Sequence, residues 1–410
     1  MDRRKQNTTN ESATSDLSIT DSFRNLYLGM QSYIFGDEEM ANAEPQVLLN
    51  RMLSTKTAIS TSSSLAEANQ RARDNSTQQV FQDIGKGQCG TVYALRGTTM
   101  VIKLPNGPAK SKELFTDFQT HTIINDAFSA IPDSMRYNYN ITVPDAKAWV
   151  DAKSDNFWRE NGPLFGRTVS VPNFGLVSER IYPLPFPVRE AIVEVLCPKD
   201  VQKQKDQFLK LAENKDCLVR LYLGRRSSST TDPKTVRLRN FPLHIDQMEY
   251  LKLDVDLYAK TVAQALAILH WKAGVDANDV EFVLGSSPQI GQKPSTKEVL
   301  LANEHTAAQL YSTDFRHRTI SMWLLDFNQC KRFEHNSSGL KQLIDGFWWN
   351  DPYYPRPNST KSADKKLWDT FAQHYLEISA QFSESSGMEK AFVKGVIEAG
   401  KKRSGGSLFG

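Results

Sequence analysis

The pattern of hydrophobic and polar positions predicts that ordered structure begins near Val80. The polar residues before it show little periodicity, which predicts a disordered arm and linker over residues 1–77. Three β-prone runs follow, at residues 81–87, 91–95 and 99–104. Residues 96–98 predict a tight hairpin turn between the last two runs.

Hydrophobic residues spaced three or four positions apart predict amphipathic helices farther along the chain. These stripes lie at residues 111–128, 251–269 and 367–382. Hydrophobic runs at 280–284 and 321–327 predict strands, and residues 169–183 predict two strands separated by Pro172-Asn173. Strands that come first, followed by helices with a few strands, are typical of an α+β protein.

Composition narrows the class of protein. The 410 residues are 40% hydrophobic and 24% charged, with a net charge of +3. A net charge this small does not indicate a nucleic acid or a membrane surface as partner. No apolar run reaches transmembrane length, and the polar N-terminus does not resemble a secretory signal. Four widely separated cysteines are too few for a disulfide framework. We expect an intracellular protein, cytoplasmic or nuclear.

A glycine-rich segment is the strongest local motif. Gly85, Gly87 and Gly90 form a G-x-G-x-x-G pattern that leads into a strand through Val92. A dinucleotide-binding loop would lead into a helix, whereas protein kinases place such glycines in a hairpin over the phosphates. The alternative is a hairpin in which the glycines only satisfy positive φ angles.

Lys103 ends the third predicted strand, where a protein kinase keeps the lysine that binds the α- and β-phosphates. The sequence does not identify the carboxylate that should orient this lysine. The following helix offers Glu113 and Asp117, but the position that best matches the kinase glutamate falls near Thr120 or His121. Without a carboxylate there, Lys103 would lose its ion pair, which weighs against efficient catalysis.

Carboxylates follow the long helix that ends at Leu269. Asp276 occupies the position of a kinase catalytic base, and Glu281, five residues later, takes the place of the metal-binding Asn. Glu281 can still bind Mg²⁺, which prefers oxygen ligands, although it adds a negative charge, and Asp279 is a third acid nearby. The alternative is a solvated acidic turn before a strand.

The third kinase-like element is Asp326-Phe327-Asn328, which ends a hydrophobic strand and is similar to the Asp-Phe-Gly segment that supplies the main Mg²⁺ ligand. Glu179 to Ile181 lies where a kinase hinge would meet adenine through its backbone. For both segments the alternative is an ordinary strand end. No Ala-Pro-Glu motif follows Asp326, which points away from standard docking of protein substrates.

Three segments also resemble a fungal family of unknown function whose members often carry the label "zinc finger protein". The segments are residues 276–285, 323–330 and 350–357, and the likeness extends over about 171–382. The resemblance implies a fungal origin but transfers no activity. The zinc label conflicts with the few, scattered cysteine and histidine residues.

We therefore predict a protein-kinase-like two-lobed α+β fold, with a small β-rich N-lobe and a larger helical C-lobe. The predicted N-lobe spans residues 78–195, a charged insertion spans 196–239, the C-lobe spans 240–402, and residues 403–410 form a flexible tail.

The predicted function is binding of ATP and Mg²⁺ with phosphoryl transfer to an unknown protein or small molecule. In this hypothesis the glycines, Val92, Glu179 and Ile181 surround the nucleotide, Lys103 and Asp276 are catalytic, and Asp326 and Glu281 hold the metal. A catalytically impaired pseudokinase that acts as a binding or scaffolding module is the alternative. A zinc-dependent nucleic-acid binder is a remote third.

Overall fold

The structure is a computed structural model, and its elements are numbered here in chain order. It describes residues 34–35, 40, 42–55, 58–60, 80–95, 97–131, 141–227, 232–287, 296–306, 317–382 and 387–405. The strands are β1 (Ile34–Phe35), β2 (Ala58–Ser60), β3 (Phe81–Lys86), β4 (Gly90–Leu95), β5 (Met100–Pro105), β6 (Ile141–Thr142), β7 (Ala146–Val150), β8 (Gly175–Glu179), β9 (Val219–Tyr222), β10 (Phe241–His244), β11 (Glu281–Ser287) and β12 (His317–Leu325).

The α-helices alternate with these strands and become longer toward the C-terminus. They are α1 (Pro45–Met52), α2 (Ser111–Ser129), α3 (Asp155–Asn161), α4 (Phe186–Leu196), α5 (Lys199–Lys203), α6 (Lys205–Lys210), α7 (Ile245–Tyr250), α8 (Val255–Ile268), α9 (Thr296–Leu301), α10 (Ser337–Trp349), α11 (Ser362–Ser379) and α12 (Met388–Gly405). A single π-helical turn, Leu269–Ala273, extends α8. None of the described helices is long and apolar enough to span a bilayer.

The small lobe is built on an antiparallel sheet with the strand order β3-β4-β5-β8-β7. The turn between β4 and β5 passes through Gly97 at φ +78°, a left-handed conformation that glycine adopts without a Cβ penalty. Helix α2 joins β5 to the later strands and packs against β7 and β8. The three strands and the helix predicted for this region are confirmed.

The large lobe contains the main hydrophobic core around α8. Tyr258, Val262, Leu266 and Leu269, the apolar stripe seen in the sequence, are each no more than 1% exposed. Helix α11 packs along α8, as its own stripe predicts, and α12 packs on α10 and α11. A helix buried on nearly all sides, as α8 is, marks the centre of a lobe.

A second sheet lies within the large lobe and carries the candidate carboxylates. Its strand order is β1-β2-β12-β11-β9-β10, and β6 pairs with β12. The antiparallel ladder of β11 and β12 starts at the pair Glu281 and Leu325 and continues to Ser287 and Thr319. This register brings the start of β11 beside the end of β12, where Asp326 follows.

The lobe boundaries differ from the prediction in two places. Helix α1, within the segment predicted as arm and linker, buries Leu49, Met52 and Leu53 in the large-lobe core against α4. Strand β9, within the predicted insertion 196–239, pairs with both β10 and β11. The hydrophobic residues of both segments pack against residues that are distant in sequence, so both segments belong to the core.

Residues 169–183 also differ from the prediction, since they form one strand, β8, instead of two. The segment before β8 contains a cis peptide bond between Val171 and Pro172. Much of the predicted insertion at 285–320 lies outside the described residues, as does the tail beyond residue 405.

The order of elements confirms the predicted fold class. A glycine-rich turn joins the first two strands of the small sheet, a lysine lies on the third, and a helix precedes the remaining two strands. The chain then enters a mostly helical lobe with the Asp-Phe-Asn segment after a strand. The structure is therefore an α+β protein consistent with a protein-kinase-like two-lobed fold.

Candidate active site

Lys103 lies between the two lobes and binds two carboxylates. Its Nζ atom is 2.8 Å from Oδ2 of Asp117 on α2 and 3.2 Å from Oδ1 of Asp326 after β12. The Lys103 and Asp117 side chains are only 13% and 4% exposed, and Asp326 is 22% exposed. One ammonium group therefore links the small sheet, its helix and the large lobe.

Asp117 is the carboxylate that the sequence analysis left open. It lies in the same buried stripe of α2 as Leu114, His121 and Ile124, at the helical spacing of three or four residues. Asp117 lies one helical turn before Thr120 and His121, the positions that best matched the kinase pattern, and the fold brings its carboxylate to Lys103. An acidic residue at the same helical spacing as the buried Leu114 and Ile124 was the signal that could have identified it.

The electrostatics favour a charged Lys103. Burial by itself would lower the pKa of the Lys103 ammonium, but the charges of Asp117 and Asp326 outweigh burial and hold the pKa well above its usual value. Asp117 Oδ1 also accepts a hydrogen bond from the Phe327 backbone N–H at 3.3 Å. Asp117 thus fixes both the lysine and the segment that carries Asp326.

The Asp326 segment is held in an unusual backbone conformation. Asp326 has φ +66°, a left-handed geometry that is uncommon outside glycine and that clusters at functional sites. The next residue, Phe327, is 1% exposed and its ring lies 5.0 Å from the ring of His121 on α2. Buried packing of Phe327 therefore sets the direction in which the Asp326 side chain points.

The glycine-rich turn closes over Asp326. Gly87 donates its N–H to the Gly90 carbonyl, and Asn106 Nδ2 donates to the Gly87 and Gln88 carbonyls at 2.8 and 3.2 Å. A Cβ atom on Gly87 would be 3.9 Å from Asp326 Oδ2. Asn106, which the sequence analysis did not single out, therefore braces the turn from the end of β5.

The glycines of this turn are not equivalent. A Cβ on Gly90 would lie 2.6 Å from the Leu104 carbonyl oxygen, so glycine is required there by the packing of β4 on β5. A Cβ on Gly85 or Gly87 would meet only ordinary contacts of 3.6 Å or more. Local packing explains Gly90, whereas the absence of side chains at Gly85 and Gly87 keeps the space under the turn open.

The predicted hinge has one open residue. Glu179 makes two hydrogen bonds to the backbone of Asp145. Its N–H donates to the Asp145 carbonyl at 2.9 Å, and its carboxylate accepts from the Asp145 N–H at 3.2 Å. Burial raises the pKa of Glu179. The backbone N–H and C=O of Ile181 have no backbone partner among the described residues.

Asp276 is placed away from this convergence, in a buried position behind the loop. It is 4% exposed, and Oδ1 accepts from the Lys331 N–H at 2.9 Å and the Asn278 N–H at 3.2 Å. Oδ2 accepts from Gln342 Nε2 at 2.7 Å. These contacts are those of a carboxylate that organises the loop, whereas the sequence predicted a catalytic base at Asp276.

Asp279 lies on the cleft side of the same loop. It has φ +65°, its N–H donates to Asn350 Oδ1, and it is only partly buried. Burial raises the pKa of Asp279 and the charge of Asp326 raises it further. Asn350 holds the loop by donating to the Ala277 carbonyl at 2.9 Å. Asn350, the first residue of the segment 350–357, therefore helps to position Asp279.

Glu281, predicted as a metal ligand, is bound to an arginine. Its Oε1 accepts from Nη2 of Arg220 on β9 at 2.5 Å. Burial raises the pKa of Glu281 to about 7. The positive charge of Arg220 lowers this pKa, and the negative charges of Asp326 and Asp279 raise it. The carboxylate is therefore close to Asp326 but is already paired with a cation.

Magnesium fits at Asp326. Oδ1 contacts Lys103, whereas Oδ2 faces the glycine-rich turn and has no hydrogen-bond partner among the described side chains. Mg²⁺ needs only one or two protein carboxylates when phosphates and water complete its octahedron. Asp326 would hold the ion, which would neutralise phosphate charge when bound.

The geometry defines a class of site, a cleft between two lobes lined by a lysine, carboxylates and a glycine-rich turn, as in protein-kinase-like proteins. Lys103, Asp326, Glu281 and the glycines contribute to it, with Val92 paired across the hairpin to Lys103. Among the predicted residues, Asp276 is set back from the cleft.

Comparison with known proteins adds little to this geometry. A model for a domain-of-unknown-function family described as "Zinc finger protein" matches residues 322–387, which is less than half of the chain. A search of curated proteins found no match. A solved structure of a point mutant of aminoglycoside 2'-phosphotransferase-IIIa in its GDP complex is 10% identical, with a TM-score of 0.20. The comparison covers 84% of this chain and 99% of that one. At that TM-score the fold assignment depends on element order alone.

The zinc label has little support from the described side chains. All four cysteines are buried and unpaired. Within the part of the chain that the structure describes, no three His, Cys, Asp or Glu side chains are grouped to hold a metal ion. Structural zinc sites use four such ligands in a tetrahedron.

Proposed function

We propose that the cleft binds a nucleoside triphosphate together with Mg²⁺, as in protein-kinase-like enzymes. The observation that carries this proposal is Lys103, held by Asp117 and Asp326 directly beneath a glycine-rich turn. A buried lysine that keeps its charge is suited to bind phosphate oxygens, which accept hydrogen bonds strongly.

The turn supplies further donors for phosphate. The backbone N–H groups of Gln88 and Cys89 have no backbone partner in the described chain, and the turn itself is held by Asn106. Preorganised N–H groups in a tight turn form an anion-binding concavity. At the other end of the small sheet, the open N–H and C=O of Ile181 suit the edge of a purine base.

Phosphoryl transfer is a second candidate, and Asp117 is the observation that favours it. The ion pair that orients the lysine in protein kinases is present here, so its supposed absence no longer argues for a pseudokinase. Of the two acids in the loop, Asp276 is buried and holds the loop, so we assign the role of meeting a substrate hydroxyl to the partly buried Asp279. A non-catalytic binding module stays as the alternative because Asp276 is so fully bonded.

Thermal unfolding with nucleotide tests the binding proposal. A ligand at about 100 times its Kd adds about 2.7 kcal/mol to the free energy of unfolding, so millimolar Mg-ATP should raise the Tm of the wild-type protein. Lys103→Met and Asp326→Asn should lose the shift. The matched controls Lys341→Met and Asp345→Asn, which remove an exposed ion pair on α10, should keep it.

An unchanged wild-type Tm at millimolar Mg-ATP would refute the proposal. If the shift is present, ATP turnover in the wild type, Asp326→Ala and Asp279→Asn separates the two candidates. Turnover that disappears in both variants supports phosphoryl transfer. Binding without turnover supports the module that only binds nucleotide.

A further inference from the structure

The cleft contains an arginine that kinase-like motif patterns do not include. Arg220 extends from β9, where it pairs in register with Val283 of β11, and its guanidinium binds Glu281. The Arg220 and Glu281 side chains are 25% and 17% exposed, so the pair is largely removed from water.

Glu281 occupies the position where a kinase motif has its second metal ligand. A second metal would have to share a carboxylate whose charge is already balanced by Arg220, and the metal would lie close to the guanidinium. Withdrawing Glu281 from Arg220 would leave a partly buried guanidinium uncompensated, which is strongly unfavourable. The residues at this position therefore do not fit a second divalent cation.

The contacts of the carboxylates point the same way. Asp117 binds Lys103, and Glu281 binds Arg220. Asp326 binds Lys103 through Oδ1 only, and its Oδ2 faces the glycine-rich turn. The geometry therefore offers Asp326 Oδ2 to one cation.

We infer that this cleft holds a single divalent cation, on Asp326, and that Arg220 paired with Glu281 takes the place of the second metal ion. The inference rests on the proposed nucleotide site but concerns how many metal ions it holds. Arg220 then acts as a positioning residue, since it fixes Glu281 and keeps that carboxylate from a metal.

Manganese is the probe, because the free ion gives an EPR signal that is lost on binding. The full-length protein is titrated with Mn²⁺ alone and with Mn²⁺ plus a non-hydrolysable ATP analogue. The expected result is one Mn²⁺ per protein, weakened at least tenfold in Asp326→Asn and changed less than about threefold in Glu281→Gln. Arg220→Gln, which frees Glu281, is expected to raise the count to two.

Arg226→Gln is the matched control. Arg226 is 23% exposed and binds Glu249 and Asp364, none of which lies among the cleft residues. It should keep one Mn²⁺, and thermal unfolding of each variant shows that it is folded. If Arg220→Gln does not fold, Glu281→Gln decides by itself.

The outcomes separate the inference from the proposed function. Two Mn²⁺ ions in the wild type, one of them lost in Glu281→Gln, overturn the inference and leave nucleotide binding intact. One Mn²⁺ that depends on Asp326 but no binding of the ATP analogue supports the inference and contradicts the proposed function. No Mn²⁺ binding under either condition overturns both.

Discussion

The ion pair between Lys103 and Asp117 can be measured by a double-mutant cycle. The variants are Lys103→Met, Asp117→Leu and the double substitution, each of which replaces a charged side chain with an apolar one of similar size. The two groups are 2.8 Å apart and 13% and 4% exposed, so each single substitution leaves a charge with less compensation in a buried site.

Removing one partner of a buried pair costs about 3–5 kcal/mol of unfolding free energy. Asp117→Leu should fall near the lower end, about 3 kcal/mol, because Asp326 still lies 3.2 Å from the Lys103 ammonium. Lys103→Met should fall near the upper end, about 5 kcal/mol, since Asp117 and Asp326 then both lose their cation. The double variant avoids part of this cost, so the coupling energy should be about 2 kcal/mol.

Urea unfolding followed by circular dichroism gives the four free energies. The exposed pair of Lys341 and Asp345 on α10 is the matched control, for which such helix pairs give about 0.3–0.5 kcal/mol. A coupling energy for Lys103 and Asp117 no larger than that of the control would refute the reasoning. Lys103 would then not depend on Asp117 for its position.

Three further predictions concern the turn, the loop and the core. Gly90→Ala should destabilise the protein by about 1–3 kcal/mol, because the new Cβ would clash with the Leu104 carbonyl oxygen. Gly87→Ala should keep the Tm of the wild type and lose affinity for Mg-ATP. Equal losses of stability in the two variants would contradict this difference. Asp276→Ala should lower the free energy of unfolding by about 1–3 kcal/mol because it leaves buried donors unpaired, as measured in urea, and an unchanged midpoint would contradict the organising role. Burial lowers the pKa of His270 to about 3, so its stabilising effect is complete above pH 6.5 and is lost as the pH falls from 6.5 toward 3. The difference in unfolding free energy between wild type and His270→Asn should therefore shrink by about 2 kcal/mol from pH 7.5 to pH 5, and a pH-independent difference would argue against it.

Much of the small lobe could be predicted because its signals are local. The β-prone runs, the glycine turn and the stripe of α2 each depend on neighbours in sequence, and the strands and helix form there as expected. Lys103 and Asp326 could be named for the same reason, since each follows a recognisable run. That both reach the same cleft was a hypothesis until the fold placed their charges 3.2 Å apart.

The carboxylates show where local reasoning ends. Asp117 was one of two candidate acids on α2, and counting along the chain could not show which side chain would meet Lys103. Asp276 and Asp279 are three positions apart in one acidic loop, yet the fold buries the first, bonded to Lys331 and Gln342, and leaves the second only partly buried. Nothing in the local sequence distinguishes them.

Periodicity and side-chain chemistry were enough to predict the small-lobe strands β3 to β5, the helices α2, α8 and α11, and the residues able to bind phosphate or a cation. Long-range packing places α1 and β9 in the large lobe and pairs Asp117 with Lys103. It also brings Arg220 to Glu281, from 61 positions away. Burial and charge pairing are made by groups far apart in the chain, and their energies exist only once the chain has folded.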